Sequence, residues 1–504
     1  MTLLTRLAKG ASISFVGMFI SKFMGFFYRI TVGRGLGPEA YGYLTLGIAS
    51  FFLAQNLANI SVDEAITRYV PEDYSKTSKY LYSALRVSVP LGIVSGFVMF
   101  IFAEQLVNLA NFDPEMVEVV KIMAVAVPFG VASSSLNQVF VAREKLRFNV
   151  YINNIYQQAF KLLSGLTALA FGLGLSGVTW GFALSAITSM FLSIYYLKTR
   201  FDLSWPEETN SREIVKYSWP LFFSGLMGFV LSWTDTVMIG YFTGSGSQVG
   251  IYNAAFPLAQ TLNIFMSATT TIAFPIMSGL YADKKMKELS SFYKSNTRWV
   301  LTFTTPAFLL LFLFPEEIIA LSFGSRFTDA AYALQILGAG FFVGSVVGPT
   351  GNLLKSSDNQ KYVMYNSVVS TITNVLMNLI LIPLIGIAGA AYASITSSLI
   401  GNFAGAVEVY YEEGIHSLHK GLIPLFAASL SSLIITYLVI KAVQPVTHLW
   451  TLIPGAIFFG TLYIIILVVL GGFKEEDRDI IKGAGRRVSM EEEANKIADV
   501  IIKS

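Results

Sequence analysis

Hydrophobic positions in this chain fall in long continuous runs separated by short polar stretches. A membrane-spanning helix needs roughly 20 mostly apolar residues. Fourteen segments meet that demand: 11–32, 40–62, 80–103, 117–141, 150–172, 176–197, 218–240, 248–277, 297–314, 331–354, 362–382, 388–411, 421–441 and 449–471. Within them apolar residues do not alternate with period two, so helices are predicted and not the strands of a barrel. The expected fold is an all-α integral membrane protein with about 14 transmembrane helices.

The pattern also repeats. GPEAYGYLTLG (37–47) resembles SQVGIYNAAF (247–256), about 208 residues on; GLSGVTWGFALSAITS (174–189) resembles GIAGAAYASITSSLIG (386–401), 212 residues on. The matches predict two pseudo-symmetric six-helix bundles, 1–205 and 206–412. A further helix pair, 413–471, follows, and then a cytoplasmic tail, 472–504. An even helix number gives both halves the same topology, related by an axis along the membrane normal with a cavity between them. In the tail, Ser489-Met490-Glu491-Glu492 has capping-box form, and Ile497, Val500 and Ile501 follow at helical spacing. A short amphipathic helix is expected there.

Composition reinforces the membrane reading. Of 504 residues, 54% are hydrophobic and 13% charged, about half the charged share of an ordinary soluble protein; mean hydropathy is +0.60. There is no cysteine, which excludes disulfides, thiolate metal sites and cysteine nucleophiles. The first apolar run is too long and too charged for a signal peptide and lacks a small-residue cleavage site, so it reads as a retained helix. Charge placement then sets orientation. Of 35 Lys and Arg, 27 fall on the side of the N-terminus, three (Arg34, Arg326 and Lys441) on the other, and five within helices. The positive-inside rule puts both termini in the cytoplasm, with the cell (plasma) membrane the expected location.

The helix-embedded polar residues are the candidate chemistry, because charge in the bilayer is costly and usually faces a bundle interior or a watery cavity. Lys22 and Arg29 are seven apart, on one face of the first helix. Aligning the repeats brings Asp235 near the symmetry mate of Arg29, so a cavity charge pair is expected. Asn154, Gln158 and Lys161 form a stripe on the fifth helix; Asn366, Ser370, Asn374 and Asn378 form one on the eleventh. Such amides either glue helices together or bind hydroxyls and water in a cavity. Asp63, Glu64 and Arg68 close the second helix at its cytoplasmic end, as Arg298 does near the ninth; interface solvation, gating and ion coupling are the open readings. No GxxxxGK[ST], nucleophile elbow or HExxH occurs, so an enzyme is not expected. His416 and His419 read as loop residues. No metal, cofactor or nucleic acid is expected.

Several stretches resemble one known family: GRGLGPEAYGYLTL (33–46), ITRYVPEDY (66–74), FPIMSGLYAD (274–283) and LKSSDNQKYVMYNSVVSTITNVLMNLILIPLIGIAGAAYAS (354–394). They are similar to the polysaccharide (Wzx-type) flippases. That family sits in the multidrug/oligosaccharidyl-lipid/polysaccharide exporter superfamily, with the multidrug extruders and the lipid II flippases. The resemblance implies a V-shaped two-bundle fold and alternating access. It also implies transfer of a polyprenyl-diphosphate-linked oligosaccharide to the outer leaflet, with membrane lipids and glycan-assembly enzymes as partners. Family members hold the anionic headgroup with cationic cavity residues, a role matching Lys22, Arg29 and Lys161, with Asn154, Gln158, Asn374 and Asn378 on the sugars. Asp235, Asp63, Glu64, Arg68 and Arg298 are left for gating or for coupling to H+ or Na+. The alternative is a multidrug extruder of the same superfamily, coupled to H+ or Na+ through Asp235.

Overall fold

A computed structural model describes residues 3–201, 206, 208–443, 449–473 and 477. The expected amphipathic helix at 489–501 lies outside the described residues. All regular structure among the described residues is helical, and the chain divides into two compact units. The first comprises Met1–Ala254, Ser322–Phe327 and Val375–Ala390. It holds α1 (Leu3–Leu36), α2 (Pro38–Asn59), α3 (Val62–Tyr69), α4 (Thr77–Ile101), α5 (Ala103–Leu109), α6 (Glu115–Ala142), α7 (Leu146–Asn149), α8 (Gln157–Ala170), α9 (Gly174–Arg200), α10 (Ser211–Thr243) and the beginning of α11 (Gly246–Gln260). The second holds α12 (Asn263–Ala282), α13 (Met286–Leu313), α14 (Pro315–Ser322), α15 (Ala331–Val347), α16 (Thr350–Ser356), the first half of α17 (Gln360–Ile385), most of α18 (Ile387–Glu413), α19 (Ile423–Val443) and α20 (Leu449–Val469).

All fourteen expected segments fall on helices. Among the described residues seven helices are by themselves long and apolar enough to span, or ten when three bent pairs each count once. The remaining segments lie on α1, α8, α18 and α20. In α8 and α18, charged, amide or small residues dilute the hydropathy; Pro454–Val469 of α20 is apolar.

The breaks have local causes. Gly37, at φ 83°, ends α1, and Pro38 opens α2 where its missing N–H costs nothing. The repeat mates α9 and α18 start at matching turns: Gly174 (φ 57°) and Gly386 (φ 61°) both adopt the left-handed conformation that a side chain resists. Between α2 and α3, Ile60 and Ser61 are both left-handed and the axis bends by 53°.

Packing in the first unit relies on small residues that let backbones approach, as lipid-embedded helices require. A Cβ added to Gly42 on α2 would stand 1.8 Å from the carbonyl oxygen of Gly246; one added to Gly250 on α11 would stand 1.9 Å from that of Pro38. Gly42 with Gly250, and Pro38 with Gly246, are the repeat mates read from the sequence. The contact is therefore reciprocal, as a pseudo-twofold demands. Bulkier packing gathers Val62, Ile66, Leu136, Phe140, Leu197 and Ile214 into a buried cluster that ties α3, α6, α9 and α10 together. In the second unit Leu301, Leu422, Leu425, Tyr463 and Leu467 join α13 to α19 and α20.

Candidate functional site

Each unit contains a polar cavity of its own. In the first unit the cavity measures about 220 Å³. α1 supplies Gly25, Tyr28 and Arg29 to it, α2 Tyr41, Thr45 and Phe52, and α8 Gln158 and Lys161; Phe182 and Trp233 complete the wall. Arg29 and Lys161 arrive there because α1 packs along α8. Gly165 makes that approach feasible: a Cβ in its place would press on Tyr28 and Val32 at 3.2 and 3.3 Å. The Lys161 ammonium lies over the Phe182 ring, 5.0 Å from its centre, an attraction of the cation to the ring quadrupole.

No acidic residue lines this cavity. Among the described residues neither Arg29 nor Lys161 is within ion-pair distance of a carboxylate. Arg29 is exposed to the cavity and Lys161 half-buried; like charges side by side disfavour one another, so two cations without a counter-charge favour entry of an anion. Tyr28 points the same way: its hydroxyl is buried with no hydrogen-bond partner. The wall thus offers a guanidinium, an ammonium, a carboxamide and a phenol, a donor set suited to phosphate oxygens.

The cavity of the second unit is about 310 Å³. Asn263, Met266 and Thr270 line it from α12, Phe341, Gly344 and Ser345 from α15, the stretch Gly348 to Asn352 from the break and α16, and Ser398 and Asn402 from α18. The break is Gly348 (φ 86°) followed by Pro349, which stops one helix and sets the next. No lining residue is charged. Asn402 donates to Ser398 at 3.3 Å. The Asn352 Nδ2 atom is buried and unpartnered, a loss of about 1–3 kcal/mol unless something occupies it.

Of the residues singled out in the sequence, Arg29, Lys161 and Gln158 share the first cavity. Lys22 and Asn154 are not among its lining; Lys22 is exposed, and Asn154 sits in a π-helical turn, Val150–Tyr156, just before α8. The expected Arg29–Asp235 pair is not formed. Asp235 instead accepts from the Tyr252 hydroxyl at 2.5 Å and from Asn378 at 2.8 Å, because those donors sit on the helices packed beside it. Asn374 is buried in the second unit. Asp63 accepts from the hydroxyls of Ser134 and, at 2.6 Å, Ser135. Glu64 is exposed, and Arg68 pairs with Glu72 at the surface. Arg298 is 3% exposed and forms an ion pair with Asp477 at 2.6 Å, donating also to the Gly472 carbonyl at 2.7 Å. Sequence reasoning passed over Tyr28, Tyr41, Trp233, Asn352 and Asn402. The run Gly348-Pro349-Thr350-Gly351 inside an apolar segment was the available signal, since interrupted helices mark sites in transporters.

Fold and cavities together define a class, the polytopic helical membrane proteins with polar chambers inside the spanning region. The chain belongs to the polysaccharide biosynthesis protein family, whose profile matches residues 7–281; the profile of the lipid II flippase MurJ matches residues 204–463. It is 26% identical over 311 residues to a probable low-salt glycan biosynthesis flippase, Agl15, of Haloferax volcanii, covering 61% of this chain and 64% of that one. It thus spans just under two thirds of that relative. The probable flippase AglR of the same organism is 24% identical, with 79% and 82% covered. A solved lipid II flippase MurJ in an inward closed conformation superposes with TM-score 0.72 at 16% identity, over 94% of this chain and all of that one. The fold is therefore that of the multidrug/oligosaccharidyl-lipid/polysaccharide exporters, as the resemblance of the sequence implied.

Proposed function

We propose that this protein is a flippase, not an enzyme. It carries a polyprenyl-diphosphate-linked oligosaccharide from the cytoplasmic to the outer leaflet of the cell membrane by alternating access, with both termini cytoplasmic. The observation that carries the reading is the cavity where Arg29 and Lys161 stand together without an acid. A prenyl tail can stay in lipid, whereas a diphosphate cannot cross hydrocarbon unaided; Arg29 offers it a bidentate fork, Lys161 a point charge and Gln158 a neutral donor. The names of the relatives agree with such a cargo. A negative-inside potential favours outward movement of an anion by about 2.3 kcal/mol per charge per 100 mV, so roughly 4–5 kcal/mol is available for two charges. Asp235, between its tyrosine and asparagine donors, is the group through which H+ or Na+ would couple, with Asp63 and Glu64 as further acids. Glycan-assembly enzymes that supply the lipid-linked sugar are the expected partners.

Proteoliposomes test the reading. The wild type should expose a fluorescent polyprenyl-diphosphate oligosaccharide to an added membrane-impermeant quencher. The double variant Arg29→Ala/Lys161→Ala should slow that exposure at least about 100-fold, since each charge-assisted bond is worth roughly 1.5–3 kcal/mol. Unchanged exposure in the variant would refute the cationic-cavity assignment. Efflux of ethidium without movement of the lipid would replace the flippase with a drug extruder.

A further inference from the structure

The cavity of the second unit is left over from this mechanism, and it differs from the first in a way that specifies a ligand. Its lining carries three carboxamides (Asn263, Asn352 and Asn402), hydroxyls including Ser345, Thr350 and Ser398, and no charge of either sign. A cation would lack carboxylates there, and a phosphate would lack Lys or Arg. A sugar hydroxyl both donates and accepts, as do carboxamides and hydroxyls. Phe341 and Met266 add apolar surface for the C–H face of a pyranose ring. At about 310 Å³ the space lies at the small end of ligand sites, the size for a terminal sugar unit. The buried Asn352 Nδ2 has no partner within the protein. The helix break at Gly348 and Pro349 puts non-helical backbone against the cavity, an arrangement tolerated in a membrane where it borders a polar chamber.

We propose that this cavity is a binding site for neutral, polyhydroxylated sugar units, separate from the cationic cavity, with Asn352 and Asn402 as its specificity-determining donors. The proposal rests on the flippase reading and deepens it: the cargo carries an uncharged sugar that the second unit recognises by hydrogen bonds alone. Neutrality matters, because an acidic sugar would enter a wall with no cation to meet it.

The test uses the full chain in nanodiscs and saturation-transfer difference NMR. The probes are maltotriose and triacetylchitotriose, both neutral, with glucuronic acid as the charged comparison. Saturable binding of at least one neutral probe is expected, weak or absent for glucuronic acid. Asn352→Ala and Asn402→Ala should each raise its dissociation constant about tenfold, as loss of a hydrogen bond from a buried partner implies. The two variants are independent, so a folding failure in one leaves the other informative. Failure of both neutral probes to bind, equal binding of glucuronic acid, or an unchanged constant in both variants would overturn the proposal. Inorganic pyrophosphate, titrated separately, reads the cationic cavity. Its failure to bind while the neutral sugar still binds would sink the headgroup assignment and leave the sugar site standing; the reverse would sink the sugar site alone.

Discussion

Two arginines, Arg298 buried and Arg29 exposed within its cavity, teach what the first unit is built to do. Arg298, in the second unit, has a counter-charge within the protein: Asp477 pairs with it at 2.6 Å, and the Trp299 indole N–H donates to the same carboxylate oxygen at 2.7 Å. Arg29, in the first, has no carboxylate partner among the described residues and lines an open cavity with Lys161. A paired charge holds structure together, whereas an unpaired pair of like charges is a site awaiting a counter-ion. The two cavities repeat the contrast, one cationic and one neutral.

The largest effect should come from breaking the buried ion pair. Asp477→Ala leaves Arg298 buried with only a carbonyl partner and should cost about 3–5 kcal/mol of stability, read as a lowered midpoint in denaturant unfolding of the purified protein. Equal stability would mean that Arg298 is not structural. Next comes Arg29→Lys, which keeps the charge and removes the fork. A loss of about 1 kcal/mol, or roughly fivefold in pyrophosphate affinity by calorimetry, is expected; an unchanged constant would show that charge alone matters. The smallest effect belongs to Lys22→Ala. This exposed residue outside the cavity lining should change pyrophosphate affinity by no more than about 0.5 kcal/mol. A tenfold loss would extend the cationic site along α1 and blur the contrast drawn here.

Much of this was legible in the residue order. The apolar runs all fall on helices, and the repeat matches anticipated the reciprocal contacts of Gly42 with Gly246 and of Gly250 with Pro38. Arg29, Gln158 and Lys161 were picked out because polar groups in such runs need a wet neighbour. Lys22 and Arg298 were picked out by the same rule, yet one is exposed and the other is tied to a carboxylate 179 residues away. Asp235 was assigned the wrong partner: repeat alignment equates positions but does not say which side chain each helix turns toward its neighbour.

The sequence by itself determined which segments form apolar helices and that parts of the chain repeat. Transfer into lipid depends on the composition of each short stretch. Only the tertiary structure decided which polar groups converge. It gathered Arg29 with Lys161 in one cavity and Asn352 with Asn402 in another, and set Arg298 against Asp477, because side-chain meetings depend on helix rotation and packing between segments far apart in the chain.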